Sequence, residues 1–387
     1  MYDFNKVVDR KHTSNIKYDL RDKFFGRADV LPMWVADMDF ETPDFIRDAV
    51  IKRAQHSIYG YSFRSESYFQ SIVDWVQKRH NWSVNTDWIV FSPGIVPALN
   101  FSTLSFSNKG DSIIVQSPVY FPFFTAVTDN MRVQLNNKLV LKDGRYFIDF
   151  DDFEEKAKTA DMFFLSSPHN PVGRMWTKDE LLRLGQICVQ NNVIIISDEI
   201  HCDLILPGNK HIPIASLSNA IADITVTCIA PSKTFNMAGL STSSVIISNK
   251  NLRDKFEQVL SRYHLSHGNI FGTVASEAGY NHGARWVDEL MQYVNNNYRE
   301  VEQALLNSKG TIRLISPDAT YLAWLDFRNT GYSDEQIKNI LVNKARLGLS
   351  HGPIFGEGGQ GFQRMNLATP HSLVKDAIER LITAFNL

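Results

Sequence analysis

Cysteine is scarce in this chain, and the three present, Cys188, Cys202 and Cys228, are an odd number with neither CxxC nor mixed Cys/His spacing. That excludes a disulfide framework and the common zinc motifs, and it fits a reducing compartment, so a cytoplasmic protein is expected. Charge of one sign is also missing, since 40 basic residues nearly cancel 42 acidic ones. Bulk attraction to nucleic acid or to an anionic membrane is therefore disfavoured, and any anion site must be local. No stretch reaches the ~18 uninterrupted apolar residues of a membrane span. The opening "MYDFNKVVDRKHTSN" has charges interrupting every possible apolar core, which argues against export. Internal repeats and low-complexity tracts are absent too.

What is present is enough apolar content, 44% of 387 residues, to bury one or two substantial cores. The central half alternates short apolar runs with amphipathic segments, the pattern of a parallel α/β sheet. "DSIIVQ", "DMFFLSS", "NVIIISD", "ITVTCIA" and "SVIIS" read as buried strands. Between two of them, "TKDELLRLGQICVQNN" offers Thr177 as a helix cap and Glu180 as the other half of a capping box, with Leu181, Leu184, Ile187 and Cys188 as one apolar stripe. "ETPDFIRDAVIKRA" offers Thr42 as a cap and Pro43 in the first turn of an earlier helix, after the irregular "LPMWVADMDF". The last third, from a long polar helix through "TIRLISPDATYLAWLDFR" to the final helix "HSLVKDAIERLITAFNL", reads as an α+β unit. We expect a large domain over 46–285 and a small domain over 286–387, joined by the N-terminal segment 1–45, with the boundary near "NHGARW".

Polar motifs cluster where the apolar strands end, which is where open parallel sheets hold ligands. Asp198, directly after "NVIIIS", is a carboxylate at a buried sheet edge, where an unpaired charge is costly. Its partner is either an ordinary cation or cap, or a protonated ring nitrogen. Lys233 interrupts the apolar stretch "TVTCIAPSKTFNMAGL", and a desolvated lysine becomes an amine nucleophile or base; a solvated loop lysine is the alternative. "SPGIVPALN" is either a turn before a helix or a cradle in which the backbone N–H groups after Gly94 meet a phosphate. Taken together, a lysine for an aldehyde, an aspartate for a ring nitrogen and a backbone cradle for a phosphate describe a site for a phosphorylated pyridine.

The order and wording of "SPGIVPALN", "SSPHNPVGR", "SDEIHCDL", "APSKTFNMAGL" and "FQRMNLATP" resemble fold-type-I pyridoxal-phosphate enzymes, specifically the MalY/PatB group of cystathionine β-lyases within the class I/II aminotransferase superfamily. The resemblance runs end to end. It implies an α/β fold, with a large three-layer domain built on a mostly parallel seven-stranded sheet and a smaller α+β domain. It also implies residue roles. Lys233 is similar to the lysine that bonds the cofactor aldehyde, Asp198 to the partner of the ring nitrogen and Asn170 to the donor for the ring oxygen. Tyr120 matches the aromatic stacked on the ring, while Ile95, Val96 and Ser232 match the phosphate-binding groups. Arg364 matches the grip on the substrate carboxylate, in place of a surface salt bridge, and Tyr61 a tyrosine reaching the neighbouring subunit's cofactor, so a homodimer is implied.

Two positions depart from the wider aminotransferase pattern. His201 stands where a tyrosine follows the aspartate by three, and Ser241 where an arginine follows the lysine by eight. His201 can still donate to the ring oxygen, and "DEIH" is the wording of the lyase group. The resemblance thus implies carbon–sulfur β-elimination, with cystathionine or a related cysteine conjugate giving a thiol, pyruvate and ammonia. Transamination is the runner-up, and a partner-binding protein without turnover is disfavoured because Lys233, Asp198 and Arg364 are all kept. Cys202 and His169 read as structural, and Trp34, Tyr321 and His351 as either specificity or packing residues.

Overall fold

The computed structural model describes residues 2–308 and 310–386. Met1, Lys309 and Leu387, which fall within the expected domain spans and, for Leu387, at the end of the expected last helix, lie outside the described residues.

The strands expected from apolar runs all form, and they join one seven-stranded sheet. In chain order these are β1 (Ile89–Ser92), β2 (Ser112–Val115), β3 (Val133–Asn136), β4 (Met162–Ser166), β5 (Ile194–Asp198), β6 (Thr225–Ile229) and β7 (Ser243–Ile246). Their spatial order is β1-β7-β6-β5-β4-β2-β3, and only β7 runs antiparallel to its neighbours. Side chains on a strand alternate faces, so Met162 and Phe164 of β4 enter one core while Phe163 and Leu165 enter another. The first core is covered by α3 (Ile95–Phe106), and the second by α4 (Lys178–Asn191) through Leu181, Leu184, Ile187 and Cys188. That is the three-layer α/β arrangement. The capping box at Thr177 and Glu180 is formed in both directions.

The other helices that matter for the site are α1 (Asp44–Gln55), α2 (Glu66–His80), α5 (Pro231–Thr234), α6 (Ile270–His282), α7 (Ala284–Asn307) and α8 (His371–Phe385). The cap expected at Thr42 does not form. Pro43 occupies the cap position of α1, and the Thr42 hydroxyl donates instead to the Asn236 carbonyl at 3.0 Å, an acceptor 194 residues away. Tertiary contact outcompeted the local hydrogen bond.

At Gly283 the chain breaks between α6 and α7, inside the "NHGARW" stretch. A Cβ at Gly283 would collide with the Phe235 ring, and one at Gly279 would lie 2.8 Å from it, so glycine is required at both for the close approach.

A second sheet is antiparallel and made of β8 (Arg313–Leu314), β9 (Leu322–Asp326), β10 (Ser350–His351) and β11 (Phe362–Asn366), in the order β8-β9-β11-β10. Residues 31–40 form a strap against this part of the chain. Leu31 and Pro32 pair in parallel with Leu347 and Gly348, and Asn366 Nδ2 donates to the carbonyls of Val35 (2.7 Å) and Asp37 (2.5 Å). The strap is pinned on its other side by an ion cluster in which Lys17 and Asp39 are buried and Arg10 and Asp37 half-buried: Arg10 meets Asp37 (2.5 Å) and Asp39 (2.7 Å), and Lys17 meets Asp39 (2.8 Å).

Candidate functional site

Three strand ends converge on one cavity of about 210 Å³. Asp198 is the last residue of β5, flanked in register by Ser166 of β4 and Cys228 of β6. Its carboxylate is buried and accepts the Ile200 N–H at 3.1 Å. Burial lifts this carboxyl to about 7; the Ile200 N–H opposes the rise, Glu199 adds to it, and Lys233 opposes it. A carboxylate so placed is an acceptor short of a cationic partner.

Lys233 lies in α5, which opens with Pro231 immediately after β6. Its Nζ donates to the Ala36 carbonyl of the strap at 2.6 Å. Burial draws this amine down to about 8, against the charge of Asp37 and with some help from Arg364. It is therefore available as a neutral base or nucleophile far below the usual lysine range. Tyr321 donates its hydroxyl to the same Ala36 carbonyl at 2.9 Å.

Arg364 sits in the middle of β11, with Trp324 and Ser350 as its register partners on either side. Nη1 donates to Asn170 Oδ1 at 2.9 Å, and Nη2 to the Trp34 carbonyl at 3.0 Å and to Ser350 Oγ at 3.2 Å. Its Nε is buried without a partner. Burial lowers the guanidinium to about 10, a cation held at a cost and ready for an anion. Asn170, its Oδ1 occupied by Arg364, keeps its amide hydrogens for another acceptor. The Tyr120 N–H donates to the Asn170 carbonyl at 3.0 Å, fixing the two loops to each other. His201 is buried with Nδ1 unpartnered and is held down to about 3, first by burial and then by Lys233 and Arg364, so it enters the site as a neutral ring.

On the far side of the cavity, α3 begins at Ile95 with Gly94 as its cap. Gly94 has φ 167°, an extended conformation open to any residue, so what its missing side chain provides is room before the helix N-terminus. The first-turn N–H groups of Ile95 and Val96 point out of a helix that has no side-chain cap. Ser232, Ser241 and Thr242 line the same cavity.

The structure thus gathers Ile95, Val96, Tyr120, Asn170, Asp198, His201, Ser232 and Lys233 around one cavity, with Arg364 bonded to its rim. Tyr61 is not among them: it is fully exposed in the extended stretch after α1, beside the exposed Ile58, Tyr59 and Phe63. Sequence reasoning missed the carbonyls of Ala36 and Trp34, which act through backbone and carry no side-chain signature, and Thr242. Trp34 and Tyr321 are accounted for by contacts at this rim. Cys202 and His169 are buried, with His169 Nε2 bonded to the Pro118 carbonyl at 2.9 Å.

The residues fit pyridoxal phosphate. A ring with a protonated nitrogen answers the under-partnered Asp198, a ring oxygen answers the free Asn170 amide and His201, a phosphate answers the bare start of α3, and an aldehyde answers Lys233. The sequence profile of the family "Aminotransferase class I and II" matches residues 28–381. The chain is 43% identical over 385 residues to cystathionine beta-lyase PatB of Bacillus subtilis, covering 99% of this chain and all of that protein. Among solved structures, a pyridoxal-phosphate-bound protein of Clostridium difficile 630, provisionally called an aminotransferase, superposes with a TM-score of 0.98 at 42% identity, covering all of both chains. The pyridoxal-phosphate-bound C–S lyase of Staphylococcus hominis superposes with a TM-score of 0.92 at 31% identity, covering all of this chain and 98% of that one. With that coverage over the same strand-end site, the chain belongs to the class I and II aminotransferase family, among the fold-type-I pyridoxal-phosphate enzymes.

Proposed function

We propose that this protein is a pyridoxal-phosphate-dependent carbon–sulfur β-lyase, cleaving L-cystathionine or related cysteine S-conjugates to a thiol, pyruvate and ammonia. The observation that carries the reading is the end-to-end similarity to a cystathionine β-lyase, in a chain whose cavity holds Lys233, Asp198 and Asn170 together with Arg364 at its rim. When bound, pyridoxal phosphate supplies an aldehyde that condenses with amines and a ring that draws electrons from the substrate's Cα. The chain's residues do the rest. Ile95 and Val96 N–H groups and the Ser232 hydroxyl hold the phosphate, Tyr120 covers the ring face, Asp198 keeps the ring nitrogen protonated, and Asn170 with His201 donates to the ring oxygen. Arg364 takes the substrate carboxylate through charge-assisted hydrogen bonds.

Lys233 Nζ, drawn down to about 8 by burial and so far easier to deprotonate than an ordinary lysine, takes the Cα proton. The electron pair left on Cα becomes the Cα=Cβ bond as the Cβ–S bond breaks with its own pair leaving on sulfur; the same amine is placed to return a proton to that thiolate, and water hydrolyses the released enamine to pyruvate and ammonia. Transamination needs only that the proton be delivered to a different carbon, and the structural likeness to the provisionally named aminotransferase keeps that reading second. Pyruvate release from L-cystathionine by the cofactor-loaded protein, with no 2-oxo acid present, decides between them. Sustained pyruvate with equimolar thiol is expected; activity that appears only with an added acceptor would reverse the order.

The exposed run of Ile58, Tyr59, Tyr61 and Phe63 supports a homodimer in which Tyr61 reaches the neighbouring subunit's cofactor. Three buried free cysteines, and no helix among the described residues long and apolar enough to cross a membrane, support a cytoplasmic enzyme. The division into a segment 1–45, a large domain 46–285 and a small domain 286–387 is supported by the helix break at Gly283 and by the strap's bonds to Leu347, Gly348 and Asn366.

A further inference from the structure

Behind the cavity wall lies a second set of buried polar groups that the reaction does not use directly. Asp203 is their centre. Its Oδ1 accepts from Trp75 Nε1 at 3.0 Å and lies 2.9 Å from His80 Nε2, both from α2; its Oδ2 accepts from Thr234 Oγ1 at 2.8 Å. All four residues are buried, and the surrounding side chains include Phe235 and Tyr280. Burial alone would raise the Asp203 carboxyl, but the hydrogen bond and charge of His80, with Arg79 and the Thr234 hydroxyl, hold it below the usual range. A buried carboxylate with this many donors is an anchor: it has fixed partners on each side.

What it anchors is the lysine's turn. Thr234 is the residue after Lys233, and α5, which carries both, is only four residues long. A single helical turn has too few hydrogen bonds to hold its own direction, so tertiary contacts must supply it. On one side Asn236 is bonded to the strap, donating to the carbonyls of Met38 and Phe40. On the other side stands the Thr234–Asp203 hydrogen bond. Asp203 also belongs to the tight turn after β5, where Cys202 N–H donates to the Glu199 carbonyl and Leu204 N–H to that of His201. One carboxylate therefore connects the turn that carries Asp198 and His201, the turn that carries Lys233, and helix α2.

We infer that Asp203, acting through the Thr234 hydroxyl, is a positioning residue that aims the Lys233 amine at the substrate carbon. The inference rests on Lys233 being the reacting amine. It predicts a defect in proton transfer rather than in binding, and one that follows the hydroxyl and not the methyl of Thr234.

The test compares Thr234→Val, which keeps the shape and loses the hydroxyl, with Thr234→Ser, which keeps the hydroxyl. In the loaded enzyme, Thr234→Val is expected to lower kcat about tenfold with KM changed less than about twofold, and Thr234→Ser to restore kcat to within about twofold of the parent. In cofactor-free protein at one fixed pH, amine labelling of Lys233, read by peptide mass spectrometry, is expected to be about threefold faster in Thr234→Val, whose turn is loosened, and unchanged in Thr234→Ser. Parent-like kcat and labelling in Thr234→Val, or a Thr234→Ser variant as impaired as Thr234→Val, overturns the inference. Should Thr234→Val not fold, Asp203→Asn serves instead, with a kcat loss of about fivefold expected and a parent-like kcat overturning it. Added pyridoxal phosphate must protect Lys233 of the parent from labelling. If it does not, the assignment of Lys233 fails, while the Thr234 comparison in cofactor-free protein is still read.

Discussion

The wall of the cavity and the strap that crosses it are built on opposite plans. The wall comes from strand ends, where Asp198 ends β5, Asn170 follows β4 and Lys233 follows β6, each placed by a buried strand behind it. The strap, residues 31–40, has almost no regular structure; it is held by Arg10, Lys17 and Asn366 and presents backbone carbonyls to Lys233 and Arg364. The wall holds chemistry on a rigid support, whereas the strap holds geometry by charge. Breaking the wall should therefore abolish reaction and spare the fold, and breaking the strap should loosen the fold and only weaken reaction.

The sharpest break is Lys233→Ala. Pyruvate formation is expected to fall by about 10⁴-fold, with the melting temperature near that of the parent, because a base is lost and no core contact is emptied. Retained pyruvate formation would remove Lys233 from the reaction. Arg364→Ala strikes the rim between the two, and a loss of about 100-fold in kcat/KM is expected, chiefly through KM, since the charge-assisted hydrogen bonds to the carboxylate go with it. An unchanged KM would show the carboxylate held elsewhere.

Arg10→Met tests the strap. A loss of about 2 kcal/mol in urea unfolding is expected, because Asp39 is buried and Asp37 half-buried, both losing a partner, with a kcat reduction of less than about tenfold through the displaced Ala36 carbonyl. Abolished activity with parent stability would erase the contrast.

The smallest effects are in pH. The Asp37 carboxyl is held below its ordinary 3.8: burial opposes this, and the Arg10 hydrogen bond with the Lys17 charge outweighs it. Its contribution is then fully present above that value and lost as pH falls through the lower native one, so in an acid titration the parent should lose more stability below about pH 4 than Asp37→Asn does. Equal acid slopes would mean the strap draws nothing from this charge. In the wall the shift is opposite in kind: the Lys233 amine of cofactor-free protein should become reactive around pH 8, well before an ordinary lysine. Labelling that rises only near pH 10 would mean the amine is not desolvated.

The same contrast explains what could be read from the sequence. Asp198 ends one apolar run and Lys233 interrupts another, so composition marks them, whereas Asn170, four residues past β4, was legible only by resemblance; the strands before all three form where expected. The strap was legible only as an irregular stretch. Arg10 and Lys17 find their carboxylates 20 to 30 residues away in sequence, and Ala36 acts through an oxygen that every residue type possesses. Thr42 was misread as a cap because nothing local reveals a carbonyl at position 236. Tyr61 does not line its own chain's cavity, and the role proposed for it rests on resemblance alone.

Phe235 follows Lys233 by two residues, yet its ring is wedged into the elbow where α6 meets α7, against Gly279 and Gly283. With the ring this close to both glycines, the elbow cannot tighten without moving it, and two residues of backbone carry the movement to the lysine. The bearing of the Lys233 amine is in this way geared to a joint between helices, so, with Lys233 as the proposed base, substitutions at the joint will register in the rate of proton transfer without touching substrate.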